Sequence, residues 1–223
     1  MLGVVPYSDA LALQEEAVRR CAENPEFEQL FLLEHPHVFT LGRGADESNI
    51  LASAGKLSEE SIEVHHIGRG GDVTYHGPGQ LVGYPIINLR PDRCDVHRYV
   101  RDLEEALIRT IGDFGISGQR ITGLTGVWAG NEKIAAIGVR IARWITSHGF
   151  ALNVNTDLDY FNMIVPCGIT GKGVASISKI VGRAVEMRAV AEAAAARFGE
   201  VFDRAIEVTG DGWSRPECGI REN

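Results

Sequence analysis

Apolar and polar positions alternate at two different periods along this chain. Helical spacing is clearest over Val96–Phe114, where Val96, Tyr99, Val100, Leu103, Leu107, Ile111 and Phe114 form one stripe. Asp95 stands where an N-cap belongs and Gly115 closes the pattern. Such a stripe reads as a core face. Two further helices are expected, over residues 9–22 with Ser8 or Asp9 as cap, and over the Ala-rich run Met187–Phe202. The first would turn Leu11, Leu13, Val18 and Cys21 inward; the second would turn Val190, Ala194, Phe198 and Val201 inward.

Strand spacing is clearest over Lys133–Arg143, with Ile137, Val139 and Ile141 on one face and Ala136, Gly138 and Arg140 on the other. Leu81–Leu89, Thr125–Ala129 and Ser147–Asn155 are further strands. FLLEHPHVFTLGR, residues 31–43, holds two apolar runs broken at Pro36, as for strands bent at a proline. Residues 44–62 are polar and loop-like, and residues 203–223 begin with a short strand and then lose periodicity. Helices and strands are mixed but not in strict βαβ order. The fold class is therefore α+β, with a largely antiparallel or mixed sheet and helices beside it. Residues 1–205 read as one catalytic domain and 206–223 as a loosely ordered tail.

Composition narrows the function. The chain has 223 residues and a net charge of −8, which argues against nucleic acid and against an anionic membrane surface. No apolar run approaches a membrane span, and the N-terminus lacks the flank and core of a signal peptide. A cytoplasmic location is expected, with the four cysteines reduced.

Cys167 stands out among those four, since Pro166 precedes it and Gly168 follows it, a turn able to present a thiol. The alternative is a small buried apolar residue. A catalytic thiol needs an activator, because its unperturbed pKa of about 8.5 leaves little thiolate at neutral pH. Lys133 opens an otherwise apolar strand, an awkward place for an ammonium unless it has a partner or faces a cavity; the alternative is a solvated strand end. RGGDVTYHGPGQLVGYP, residues 69–85, carries five glycines, and bare backbone there can approach a ligand closely. It is neither a phosphate loop nor a dinucleotide fingerprint. His35 and His37 form an HxH step without carboxylate or cysteine partners at ligand spacing, so no metal is expected. No cofactor is expected either.

Six ordered blocks carry a resemblance: LLEHPHVFTLGR, RGGDVTYHGPGQLVGYPI, GVW, KIAAIGVR, HGFALNV and VPCGI. Together they resemble the lipoyl(octanoyl) transferase family over about residues 30–180. The resemblance implies the fold shared by lipoate and biotin protein ligases. It also implies a reaction in which octanoyl passes from acyl carrier protein to a cysteine, then to a lysine of a lipoyl domain. The acceptors it implies are the lipoyl domains of 2-oxoacid dehydrogenase complexes and the glycine cleavage H protein. Cys167 matches the acyl-thioester position and Lys133 the partner that lowers its pKa. Arg69, Gly70, Gly71, Asp72, Val73, Thr74, Tyr75 and His76 match the first substrate-binding stretch. Ala136, Ile137 and Gly138 match the second, and Gly149, Phe150 and Ala151 the third. Asp72 stands where Gln or Lys is usual, and Ala175 where Thr is common. The alternative is an ATP-dependent ligase on the same fold, but the adenylate-holding GRGRxGR type of segment is absent. Because such partners are acidic, a basic patch at the pocket mouth is expected, from Arg140, Arg143, Lys172 and Lys179.

Overall fold

The computed structural model describes residues 1–165 and 172–209; Cys167 lies outside the described residues. Ten strands and five helices follow one another in this stretch. They are α1 (Tyr7–Glu23), β1 (Gln29–Leu33), β2 (Val38–Leu41), α2 (Ala54–Glu59), β3 (Glu63–His66), β4 (Val73–His76) and β5 (Gln80–Ile86). Then come α3 (Val96–Gly112), β6 (Gly118–Ile121), β7 (Leu124–Ala129), β8 (Glu132–Ala142), β9 (Ile145–Asn153), β10 (Gly173–Val174), α4 (Ile177–Val181) and α5 (Met187–Phe202).

A seven-stranded sheet runs β1-β5-β9-β8-β7-β6, with β10 paired to β8; a smaller sheet runs β3-β2-β4. All pairs are antiparallel except β10 with β8 and β2 with β3, so both sheets are mixed. The fold is α+β, with helices against both faces of the large sheet. On one face α3 and α5 bury Tyr99, Leu103, Leu107, Val190 and Phe198 against Leu32, Leu81, Ala135 and Leu152. On the other, α1 packs Ala10, Ala17 and Cys21 against Val82, Tyr84, Ile86 and Ala151. The small sheet has its own core of Phe39, Leu41, Val73 and Tyr75.

Helix α3 begins as its sequence dictates, with Asp95 accepting the N–H of Arg98. Helix α1 departs from expectation. It starts at Tyr7 with Pro6 before it and no side-chain cap, and its inward stripe is Tyr7, Ala10, Gln14, Ala17 and Cys21. Leu13 is exposed. Two alanines on the inner face let the helix sit close to the sheet, which the larger leucine would prevent. The stretch 44–62 is not all loop: α2 lies within it, capped by Ser53, and β3 follows at once. Residues 204–209 form no strand. The strand over Lys133–Arg143 ends at Ala142, because Arg143 and Trp144 take positive φ in the turn to β9.

Candidate active site

Beyond Ala135, strand β8 loses β7 as a neighbour, and the chain leading into the small sheet takes that edge. Gly70 donates its N–H to Val139 O at 3.0 Å. The gap left between β7 and this segment opens a cavity of about 510 Å³. Its wall includes Arg69, Gly70, Gly71, Asp72, Val73, Thr74 and His76, then Ala136, Ile137 and Gly138, then Gly149, Phe150 and Ala151, and Lys133. Three stretches far apart in sequence thus meet at one cavity. Tyr75 is the exception among the expected binding residues. Strand alternation turns it into the core of the small sheet, where its hydroxyl lies 2.9 Å from His37 Nδ1.

The turn at residues 69–72 is fixed from several sides. Gly71 has φ +90, which an L side chain resists. Asp72 accepts the N–H of Val73 at 2.7 Å and the amide of Asn49 at 2.8 Å, so its carboxylate pins the turn. Arg69 is buried and donates to Thr40 O, Thr40 Oγ1 and Gly70 O at 2.7, 2.9 and 3.0 Å. Its stem also fills the space beside Gly138, where an added Cβ would lie 2.9 Å from Arg69 Cδ. The small face of β8 therefore carries the arginine as well as the cavity.

Lys133 lies at the β7 side of the cavity. Its ammonium sits 5.0 Å from the centroid of the buried Trp128 ring, and that of Lys172 5.3 Å from the same ring. Cation–π attraction draws both toward one aromatic ring. The backbone is held too: β10 pairs Val174 with Lys133, and Ala175 N–H donates to Lys133 O at 3.0 Å. Gly126 has φ +116, and a Cβ there would lie 2.6 Å from Ala135 O, so only glycine fits this point of β7, with Lys133 Cε in ordinary contact at 3.5 Å.

Several wall residues escaped the sequence reading. Val96 and Val100, assigned to the core stripe of α3, face the cavity instead, because the first turn of the helix overhangs its rim. Tyr7, Tyr84 and His148 also line it. His148 sits within the HGFALNV block, which was a usable signal; nothing marked Tyr7. His35 Nε2 meets Tyr84 hydroxyl at 2.7 Å, whereas His37 meets Tyr75, so the HxH step serves two different cores. Burial pushes the His148 pKa down to about 4, with Arg69 and Arg140 adding to the effect. Burial, then His35, lowers His76 to about 3. Burial also raises Tyr7 to about 12. At neutral pH this wall is uncharged imidazole and phenol, beside a buried guanidinium.

The expected basic patch is only partly present. Lys179 is ion-paired with Glu132 at 2.7 Å, and Lys172 donates to Asn131. Arg140 lies across Gly68 on the exposed end of β8, and Arg143 lies in the turn beyond it.

A family model described as the lipoyl protein ligase A/B catalytic domain matches residues 6–199. An octanoyltransferase of Solibacter usitatus is 52% identical over 202 residues, 91% of each chain. Another, of Pelobacter propionicus, is 48% identical over 209 residues, covering 94% of this chain and 97% of its own. A crystal structure of lipoate-protein ligase A bound with ATP matches with TM-score 0.77 and 19% identity, covering 93% of this chain and 86% of that one. At that identity the structural likeness concerns the fold.

Proposed function

This chain belongs to the lipoyl protein ligase A/B catalytic-domain family, and we propose that it works through an acyl-thioester on Cys167 assisted by Lys133. It is a transferase, and its activity is octanoyl transfer in protein lipoylation. The donor in our reading is octanoyl-acyl carrier protein. The acceptors are lysines of lipoyl domains, those of 2-oxoacid dehydrogenase complexes and the glycine cleavage H protein among them. Residues 1–205 act as the single catalytic domain, with 206–223 as a tail outside it. Among the described residues no helix is long and apolar enough to cross a membrane, and we place the reaction in the cytoplasm.

The observation that carries this reading is the pairing of Val174 with Lys133. It sets Val174, seven positions along the sequence from Cys167, beside the lysine that lines the cavity. In the first step the Cys167 thiolate attacks the donor carbonyl, a new C–S bond forms, and the carrier thiolate leaves with a proton from the Lys133 ammonium. In the second, the acceptor amine attacks the acyl-cysteine, the C–N bond forms and the C–S bond breaks. Lys133, now neutral, takes the proton the amine sheds. The pair returns to thiolate and ammonium, so the proton count closes.

Apart from Tyr75, the stretches 69–76, 136–138 and 149–151 form the wall of the substrate cavity in this reading. The test is intact mass after incubation with octanoyl carrier protein. The chain should gain one octanoyl group, removable by hydroxylamine, and lose that gain in Cys167→Ala. An adduct surviving in Cys167→Ala overturns the assignment. Free octanoate with ATP should support no transfer; transfer from that mixture would favour an adenylating ligase instead.

A further inference from the structure

A buried chain of hydrogen bonds joins the glycine-rich strand to the backbone of Lys133. His76 Nδ1 and Gln80 Oε1 lie 2.8 Å apart. Gln80 Nε2 donates to Tyr75 O at 3.2 Å and to Asn153 Oδ1 at 2.9 Å. Asn153 Nδ2 donates to Ala175 O at 2.9 Å. Ala175 N–H then donates to Lys133 O at 3.0 Å. His76, Gln80 and Asn153 are 7%, 1% and 4% exposed, so water competes for little of this chain.

Two backbone carbonyls fix its polarity. A carbonyl only accepts, so the atom of Asn153 facing Ala175 O is the amide nitrogen, and Oδ1 must accept from Gln80. Likewise the atom of Gln80 facing Tyr75 O is nitrogen, which leaves Oε1 as the acceptor toward His76. His76 Nδ1 must therefore carry the proton. With the ring neutral, Nε2 keeps its lone pair. No protein group among the described residues bonds to Nε2, and the ring lines the cavity.

We propose that Gln80 and Asn153 are positioning residues that hold His76 as a hydrogen-bond acceptor on the cavity wall, in register with Lys133. The ligand this acceptor suits is an N–H donor. The reactant that brings one is the amine of the incoming lysine, which must enter neutral and keep a steady orientation as it attacks. Lys133, neutral once the cysteine is loaded, takes the proton the amine sheds, and a neutral imidazole can hold the amine's other N–H. This step rests on the octanoyl-transfer reading, whereas the tautomer does not.

Two measurements test it. In the full-length protein, ¹⁵N NMR of the imidazoles should show His76 protonated at Nδ1 and lone-paired at Nε2 at neutral pH. An Nε2–H tautomer overturns the proposal whatever the activity. In single-turnover kinetics, Gln80→Met should slow transfer from acyl-enzyme to lysine about tenfold, the scale of a misplaced reacting group, while loading from the donor changes by less than about twofold. Asn153→Leu should behave alike. The double variant should be no more than about twofold worse than either single, since both act through one chain. Equal slowing of both half-reactions, or a multiplicative double variant, would show a merely structural role and overturn the proposal. A wild-type chain that neither loads nor transfers octanoyl sinks the functional reading, and the NMR result still decides the tautomer.

Discussion

Glu104, a carboxylate with no exposed surface on α3, accepts the N–H of Gly126 at 3.0 Å. Gly126 takes φ +116 on β7, close against Ala135 O and beside Lys133, so a helix residue outside the cavity helps fix the strand next to the lysine. Arg101 and Arg120 reach the other oxygen of Glu104 at 2.6 and 3.2 Å. Glu104→Leu strands a buried N–H and should cost about 1–3 kcal/mol in urea unfolding. It should also lower turnover. Glu104→Gln keeps a carbonyl for Gly126 and should keep most of the turnover; equal loss in both would separate Gly126 from the lysine's placement.

Lys133→Met and Lys133→Arg distinguish a proton carrier from a fixed charge. Arginine keeps the cation near Trp128 but cannot release a proton at neutral pH. Both variants should therefore slow acylation and transfer, with Arg recovering little. Near-normal turnover in Lys133→Arg would reduce the lysine to an electrostatic aid.

Gly138 lies on the small face of β8, and a side chain there would need space beside the strand. The structure fills that space with Arg69, whose Cδ lies 2.9 Å from where a Cβ would be. Gly138→Val should then act by dislodging Arg69 from Thr40. Acetyl and octanoyl donors should lose activity alike, and stability should fall by about 1–3 kcal/mol, as for an overpacked core. A selective loss for octanoyl would place Gly138 on the acyl path.

Three buried histidines make stability depend on pH. His35 and His148 are lowered to about 4 and His76 to about 3, chiefly by burial, from an ordinary value of 6.5. Below 6.5 the unfolded chain binds protons that the folded one refuses, so stability is full above that pH and falls as pH drops toward 4. Thermal melts should show a declining Tm from pH 6.5 downward. The decline should be shallower in His148→Gln. A flat profile from pH 7 to 5 would contradict the buried, neutral state of these rings.

Donor docking can be separated from chemistry at the exposed end of β8. Lys172 meets the same Trp128 ring as Lys133, and Lys179 is already ion-paired, so neither gives a clean test. Arg140→Glu with Arg143→Glu should raise the Michaelis constant for an acyl carrier protein about threefold or more, given the modest worth of exposed charges. A small octanoyl thioester should be unaffected. Equal losses for both donors would place the docking face elsewhere.

What the sequence revealed depended on how local the signal was. Helix α3 was legible because its cap at Asp95 and its apolar stripe are both written within the element. Strand β8 was legible because small and branched residues alternate without a break. Strand β3, EVHH, was not, since it is polar and largely exposed and its pairing with β2 comes from backbone alone. The stretches that line the cavity were legible through glycine density and ordered motifs. Val96 and Tyr7 were not, because reaching the cavity depends on how their helices sit on the sheet. Nothing in the alternation of VTYH said which of its faces lines the cavity, so the place of Tyr75 in the core of the small sheet was not legible.

The cavity is walled on one side by strands of the large sheet and on the other by the turn that enters the small one. A molecule seated there touches two separately packed cores at once. By mass action, a ligand at a hundredfold excess over its Kd adds about 2.7 kcal/mol to the folded state. Here that energy would be shared across the seam, so loading the enzyme should sharpen its calorimetric transition as well as raise it, fusing two units of melting into one.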